Sequence, residues 1–155
     1  MFITVEEMKA VLYSYQMEEI AENDNTIIED GILAGISEVK SYLTASNQKQ
    51  WSDGRPQYDV NAIFGATGAE RDPFVLRMCK TVAAWNICEL SNVDIIYDHV
   101  KERYDNVIKT LEKITGIGEY QNSPTLTPDL PTISDTEGTN KKPFRYGSRT
   151  KFNHE

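Results

Sequence analysis

Histidine and cysteine are scarce in this chain, which has two of each among its 155 residues. Cys79 and Cys88 lie nine positions apart in a segment that we predict to be helical, which would place them about 13.5 Å apart on opposite faces. A disulfide requires Cα atoms within roughly 7 Å, so we expect two buried, reduced thiols, as in a cytoplasmic protein. His99 stands alone on a predicted helix and His154 is next to the last residue, so neither has the spacing of a zinc site or a catalytic triad.

Other patterns that carry chemistry are also missing. Gly65 and Gly68 are not followed by the lysine of a phosphate-binding loop. The acidic pairs Glu6-Glu7, Glu18-Glu19 and Glu29-Asp30 are adjacent in sequence, and adjacent side chains on a helix do not face each other. We therefore interpret them as surface charge rather than acid–base pairs. The sequence predicts no enzyme, no metal site and no cofactor.

Long apolar runs are absent as well. No stretch approaches the roughly 18 to 20 apolar residues of a membrane span, and residues 1–7 have neither the basic region nor the apolar core of an export signal. We expect a protein without membrane contact that is made and kept in a cytoplasm. Its 39% hydrophobic and 26% charged residues are typical of one soluble globular domain with a core of its own.

Charge is unevenly distributed along the chain. The net charge is −8, yet residues 134–155 hold five basic and three acidic residues, which leaves −10 for residues 1–133. An acidic body argues against a broad grip on duplex DNA, although DNA could still slide past it. The basic tail of one copy could meet the acidic body of another, or the distribution could serve solubility alone.

Helical patterns cover most of the body. Thr4 and Glu7 form a capping box that predicts a short helix as far as Leu12, and residues 15–21 predict a second one. A third is predicted over residues 26–45, where apolar residues recur every three or four positions: Ile28, Ile32, Ile36, Val39 and Leu43. Gly31 and Gly35 in that helix either allow another helix to approach closely or are merely tolerated.

Residues 46–71 are polar and rich in turn formers, so we predict a long connection in which residues 58–64 could form a short helix. Asp72-Pro73 predicts the start of a helix that is apolar nearly all round and reaches Leu90. Asp94 can cap a last helix that ends at Gly116. The predicted fold is an all-α, small helical bundle of two long helices plus two or three short ones, with a long loop and an extended C-terminal arm. We place the helical body at residues 1–118 and the arm at residues 119–155.

The end of the arm alternates aromatic and basic residues, the types that anchor protein interfaces. The predicted arm interface consists of Phe144, Arg145, Tyr146, Arg149, Lys151 and Phe152. A second predicted interface lies in the long connection and consists of Trp51, Arg55 and Tyr58. The arm could also stack on single-stranded nucleic acid, which we rank below protein docking because the acidic body offers no supporting channel.

Several short motifs give the chain a resemblance to a known family. In order they are Thr4-Val5-Glu6-Glu7, Ser41-Tyr42-Leu43, Tyr58-Asp59, Ile63-Phe64, Ala66-Thr67-Gly68-Ala69-Glu70-Arg71-Asp72-Pro73, Glu102-Arg103-Tyr104-Asp105, Thr127-Pro128-Asp129-Leu130-Pro131, Tyr146-Gly147-Ser148, Lys151 and Asn153-His154. Together they resemble the Mu-like phage neck family of head–tail connector, head-completion or adaptor proteins, especially those of phages and prophages of Bacteroides-type hosts. The chain departs from the family at residues 46–57, which separate the third helix from Tyr58-Asp59 and supply no arginine directly before Tyr58.

The resemblance implies a virion protein that forms a homo-oligomeric ring, commonly twelvefold, between the portal protein and further neck or tail proteins. DNA would pass through the centre of the ring without sequence-specific binding. From the residues alone, another class stays open: a small helical adaptor or regulatory protein that binds a partner protein through its basic, aromatic tail.

Overall fold

A computed structural model describes residues 2–21, 25–47, 55–90, 97–120 and 126–133 of the chain. Regular structure in these residues is helical, which confirms the all-α prediction, and two 3-10 turns lie at Gly68–Glu70 and Gly118–Tyr120. The helices are α1 (Val5–Met8), α2 (Ser14–Ala21), α3 (Thr26–Asn47), α4 (Val60–Gly65), α5 (Pro73–Leu90) and α6 (Tyr97–Thr115).

The contact between α3 and α5 is the centre of the bundle. An added Cβ at Gly35 would lie 2.6 Å from the backbone nitrogen of Ala83, and one at Gly31 would lie 3.1 Å from the Cα of Ile87. The two glycines therefore allow close helix approach, which was one of the two interpretations of their spacing. The described residues hold three long helices, α3, α5 and α6, so the helix predicted over residues 26–45 counts as a long one beside the two of the predicted bundle.

The core fills the space between these long helices. Ile32, Val39 and Leu43 of α3 are buried, as is most of the apolar surface of α5, including both cysteines. The predicted burial of both thiols is thus confirmed. The helix α6 covers the remaining side of the core with Leu111 and Ile114. Its opposite face is exposed, so its sequence has the amphipathic pattern of a surface helix.

One polar contact ties the three long helices together at the edge of the core. The hydroxyl of Tyr104 on α6 donates a hydrogen bond of 2.6 Å to Glu38 on α3, and its ring stacks on Trp85 of α5 at 5.4 Å between centroids. Burial, and then the neighbouring Glu38 carboxylate, raise the pKa of Tyr104. The hydroxyl therefore stays protonated and remains a donor to Glu38.

The N-terminus is anchored to the start of α5. Thr4 and Glu7 form the predicted capping box, and the Glu7 carboxylate also accepts hydrogen bonds of 2.6 and 3.0 Å from the Arg71 guanidinium. Arg71 donates a further bond of 2.7 Å to the carbonyl of Phe2. The Arg71 hydrogen bonds, followed by the one from the backbone of Thr4, lower the pKa of Glu7 to about 2. This cluster holds α1 against the turn that precedes α5.

The first helix ends at Met8 rather than at the predicted Leu12, whereas two further predicted helix ends agree with the structure. Asp72 accepts hydrogen bonds from the backbone of Phe74 and Val75 at 2.9 and 2.8 Å, so it caps α5. Gly116 terminates α6 with φ of 65°, a conformation that favours glycine. The predicted cap at Asp94 lies outside the described residues.

Candidate assembly surfaces

Part of the predicted arm lies on the body. Residues 126–133 run along the segment before α4, where Asp59 donates a backbone hydrogen bond of 2.8 Å to Pro131 and Ile133 donates one of 2.9 Å to Gln57. Thr132 pairs with Tyr58 in an isolated antiparallel bridge, and the Leu130 side chain is buried. We call residues 126–133 the docked segment. The helical body that we placed at residues 1–118 thus carries an additional extended layer.

Tyr58 lies beneath this layer and is fully buried. Burial raises the pKa of its hydroxyl, against the opposing effect of the nearby Arg55 guanidinium. The side chain therefore stays neutral and contributes to the core, as its membership of the apolar cluster around α3 indicates.

Arg55 packs against the chain just after the C-terminal end of α6. Its guanidinium donates a hydrogen bond of 2.6 Å to the carbonyl of Tyr120 and occupies the space that a Cβ at position 116 would fill. Gly116 is thus required twice, for its positive φ and for the room that it leaves to Arg55. The cationic group lies where the helix dipole of α6 is negative, which is a favourable position.

These positions bear directly on the predicted interfaces. Arg55 and Tyr58 are buried within the subunit and contact its own C-terminal region, and their role in an interface stays a prediction. Trp51, the third residue of the predicted loop interface, lies outside the described residues. The arm interface of Phe144, Arg145, Tyr146, Arg149, Lys151 and Phe152 also lies outside them.

A pair of exposed tyrosines lies at the start of α2. Tyr13 and Tyr15 are 68% and 63% exposed, and their rings stack with 5.7 Å between centroids and 14° between planes. We did not single them out from the sequence, although two tyrosines separated by one serine at a helix start were a signal that could have done so. Three further large apolar side chains of the described residues are more than a third exposed: Leu33, Leu126 and Ile133.

Two open clefts lie at opposite ends of α3. The larger, of about 620 Å³, adjoins the point where the docked segment ends and includes Lys40, Ser41, Asp59 and Ile133 in its lining. The smaller, of about 330 Å³, lies between α1, α2 and the first turn of α3, where Val5, Glu6, Ser14, Met17, Glu18 and Ile28 line it. Both are shallow, polar-rimmed surfaces rather than enclosed pockets.

The described part of the chain brings no catalytic constellation together at these clefts. Within it, no three His, Cys, Asp or Glu side chains are grouped as they would be to hold a metal ion. His99 is exposed on α6, and burial raises the pKa of Cys79 to about 12, which keeps the thiol protonated and unreactive. None of the described helices combines the length and the apolar character needed to cross a membrane.

The structure brings together residues that are distant in sequence, and these contacts were not predicted. The Arg71–Glu7 contact and the docking of Leu130 join segments more than 60 residues apart. A lone leucine between Pro128 and Pro131 was the available signal for the docked segment, because prolines favour an extended chain and the leucine is its one large apolar group there. Comparisons of the chain with protein-family models, with curated proteins and with solved structures found no match.

Proposed function

We propose that this protein is a structural subunit of a phage virion neck, which forms a ring between the portal and the tail through which DNA passes. In this proposal the subunit is made in the cytoplasm of a host bacterium and ends in the virion. Its partners are further copies of itself, the portal protein and other neck or tail proteins. It performs no catalysis.

The observation that carries the proposal is the way the motifs of the resemblance contact one another. The Tyr58-Asp59 motif pairs with Pro131 and Thr132 at the end of the Thr127–Pro131 motif. Glu7 of the Thr4–Glu7 motif binds Arg71 of the Ala66–Pro73 motif. The residues that carry the resemblance therefore fix the relative positions of α1, α5 and the docked segment. This is expected if the chain shares the fold of the family that it resembles.

The shape of the subunit also supports a role in assembly. A ring of identical subunits needs heterologous contacts, in which one patch of a subunit meets a different patch of its neighbour. The chain supplies two unlike elements for this purpose: a compact acidic body and a basic, aromatic C-terminal end. An acidic body also suits a channel wall, because it repels the DNA backbone and so does not retain it.

Quantitative mass spectrometry of purified virions tests the proposal. The expected result is a fixed number of copies per particle, in a constant ratio to the portal protein, that persists after salt washing. Absence of the chain from particles of a phage that encodes it would refute the proposal. If the chain were instead recovered as a monomer or dimer bound to a host protein, it would be a helical adaptor.

A substitution in the docked segment provides a second test. Leu130→Asp should release the docked segment, because a carboxylate cannot stay buried without a partner. We expect particles of this mutant to contain portal but little of the chain. The matched control is Asp129→Asn, since Asp129 is exposed and belongs to the same segment.

A further inference from the structure

The tyrosine pair at the start of α2 has the properties of an unfilled interface. Tyr13 precedes α2 and accepts the backbone hydrogen bonds of Gln16 and Met17, while its own amide donates to the Gln16 side chain at 3.2 Å. These bonds hold the backbone between the two tyrosines and so limit the backbone entropy that this segment would lose on binding. Rigid, exposed aromatic side chains are the residue type that most often anchors a protein contact.

Acidic side chains lie directly beside the pair. Glu18 and Glu19 follow Tyr15 by three and four positions, so the three share one side of α2, and both glutamates are exposed. Glu18 also lines the smaller cleft, whose floor is apolar because Met17 and Ile28 are buried there. The one basic residue of that lining, Lys9, is paired with Glu6 at 2.6 Å. We call Tyr13, Tyr15, Glu18, Glu19 and this cleft the α2 surface.

The charge of the surrounding sequence is of one sign over an unusual length. From Ala10 to Val39 the chain has seven acidic residues and no lysine, arginine or histidine. From Gly138 to His154 it has five lysines and arginines and no acidic residue. Within the second stretch, Phe144, Tyr146 and Phe152 are interleaved with Arg145, Arg149 and Lys151. The two stretches are therefore complementary in charge, and both carry aromatic rings.

We infer that the α2 surface binds the C-terminal stretch, residues 141–152, of a second copy of the chain. The inference rests on the proposed function in that it requires self-assembly, and it names the two surfaces that make the contact. The basic side chains pair with Glu18 and Glu19, and the aromatic rings of the arm pack on Tyr13 and Tyr15 and on the cleft floor. Such a contact joins unlike patches, so it can repeat around a ring.

Binding of a labelled peptide measures the contact directly. The probe is a fluorescent peptide of residues 139–155, and the receptor is the full chain with Arg145→Glu, Arg149→Glu and Lys151→Glu, which prevents its own arm from competing. We expect saturable binding by fluorescence anisotropy that weakens as salt is raised. Glu18→Lys with Glu19→Lys in the receptor should weaken binding at least tenfold, and so should Tyr15→Ala.

The matched control places the same charge change elsewhere. Glu119→Lys with Asp129→Lys alters two exposed acidic residues, one near the end of α6 and one on the docked segment. This pair of substitutions should change the affinity for the peptide by less than about threefold. Equal losses for the two pairs would overturn the inference, because the attraction would then be a general effect of net charge. Absence of binding to the unaltered α2 surface would overturn it as well. Circular dichroism shows whether each variant keeps its helices.

Isotope mixing decides between a second copy and the chain itself. Equal amounts of unlabelled and ¹⁵N-labelled full chain are mixed and treated with a carbodiimide, which joins carboxylates to lysines in direct contact. Links from Glu18 or Glu19 to Lys141, Lys142 or Lys151 should occur between light and heavy chains. Links confined to chains of one isotope would mean that the arm binds its own body and would refute the inference. Virion mass spectrometry is independent of both results, so the proposed function stands or falls separately.

Discussion

Alanine at position 35 should destabilise the protein, although alanine is the better helix former. An added Cβ would lie 2.6 Å from the backbone nitrogen of Ala83 and 2.7 Å from its Cα. Backbone atoms inside a helix cannot rotate away as a side chain can, so α3 and α5 must move apart and lose packing along their contact. Overpacking costs up to about 3 kcal/mol at such a site. Since replacing glycine by alanine in a helix recovers about 1 kcal/mol, we expect a net loss of about 2 kcal/mol.

Two other glycines of the helices serve as internal controls in urea unfolding followed by circular dichroism. No atom lies within 4 Å of an added Cβ at Gly65, so Gly65→Ala should leave the free energy of unfolding unchanged or raise it by up to about 1 kcal/mol. Gly31→Ala should fall between the two, because its nearest obstacle is a side-chain atom, Cγ1 of Ile87, and the Ile87 backbone lies 3.1 Å from the added Cβ, farther than the Ala83 backbone lies from one at Gly35. If Gly35→Ala proved as stable as the wild type, the close approach of α3 and α5 would be refuted.

Three further predictions concern the Glu7–Arg71 contact, the C-terminal arm and the Cys79 thiol. Glu7→Gln should lower the free energy of unfolding at neutral pH by about 1.5 to 3 kcal/mol, the usual range for hydrogen bonds to a charged group. The pKa of Glu7 falls from 4.5 to about 2 in the folded protein, so this stabilisation is complete above about pH 5 and is lost as the pH drops toward 2. If the free energy of unfolding changed with pH in the same way for wild type and variant, the contact with Arg71 would be contradicted. Deletion of residues 134–155 should leave the far-ultraviolet circular dichroism of the body intact while ring assembly on portal is impaired, and a loss of helix on deletion would show that the arm is needed for folding. The Cys79 thiol, with its pKa raised to about 12, should not react with a disulfide reagent at about pH 8 until urea is added, so rapid labelling of the native protein at this position would show that α5 is not buried.

Local features of the fold could be predicted from the sequence because each depends on neighbouring residues. The capping box of Thr4 and Glu7, the cap at Asp72 and the terminator at Gly116 are short-range hydrogen-bonding or conformational requirements. The apolar positions of α3 recur with the helical period and are buried or partly buried as expected. The all-α class follows from these features together.

Features that depend on tertiary contacts could not be predicted in the same way. Arg55 was predicted to belong to an interface because it lies in the long connection, and its buried guanidinium fits beneath Gly116, a position that only the path of the chain after α6 makes available. Tyr58 was assigned likewise, and it is covered by a segment more than 70 residues further along the chain. The Gly31 and Gly35 spacing left two interpretations open, because a sequence shows that a helix could approach but not which helix does.

Docking of Leu130 changes the distance over which the C-terminus can act. If the arm were free from residue 119, where we predicted that it begins, its 37 residues could extend to about 120 Å at roughly 3.3 Å per residue. With the chain held as far as Ile133, 22 residues remain, and the limit falls to about 70 Å. A shorter tether confines the arm end to a smaller volume and so raises its effective concentration at any neighbour within reach. Leu130 and Tyr58, which are buried within the subunit, thereby limit which neighbours the arm can contact.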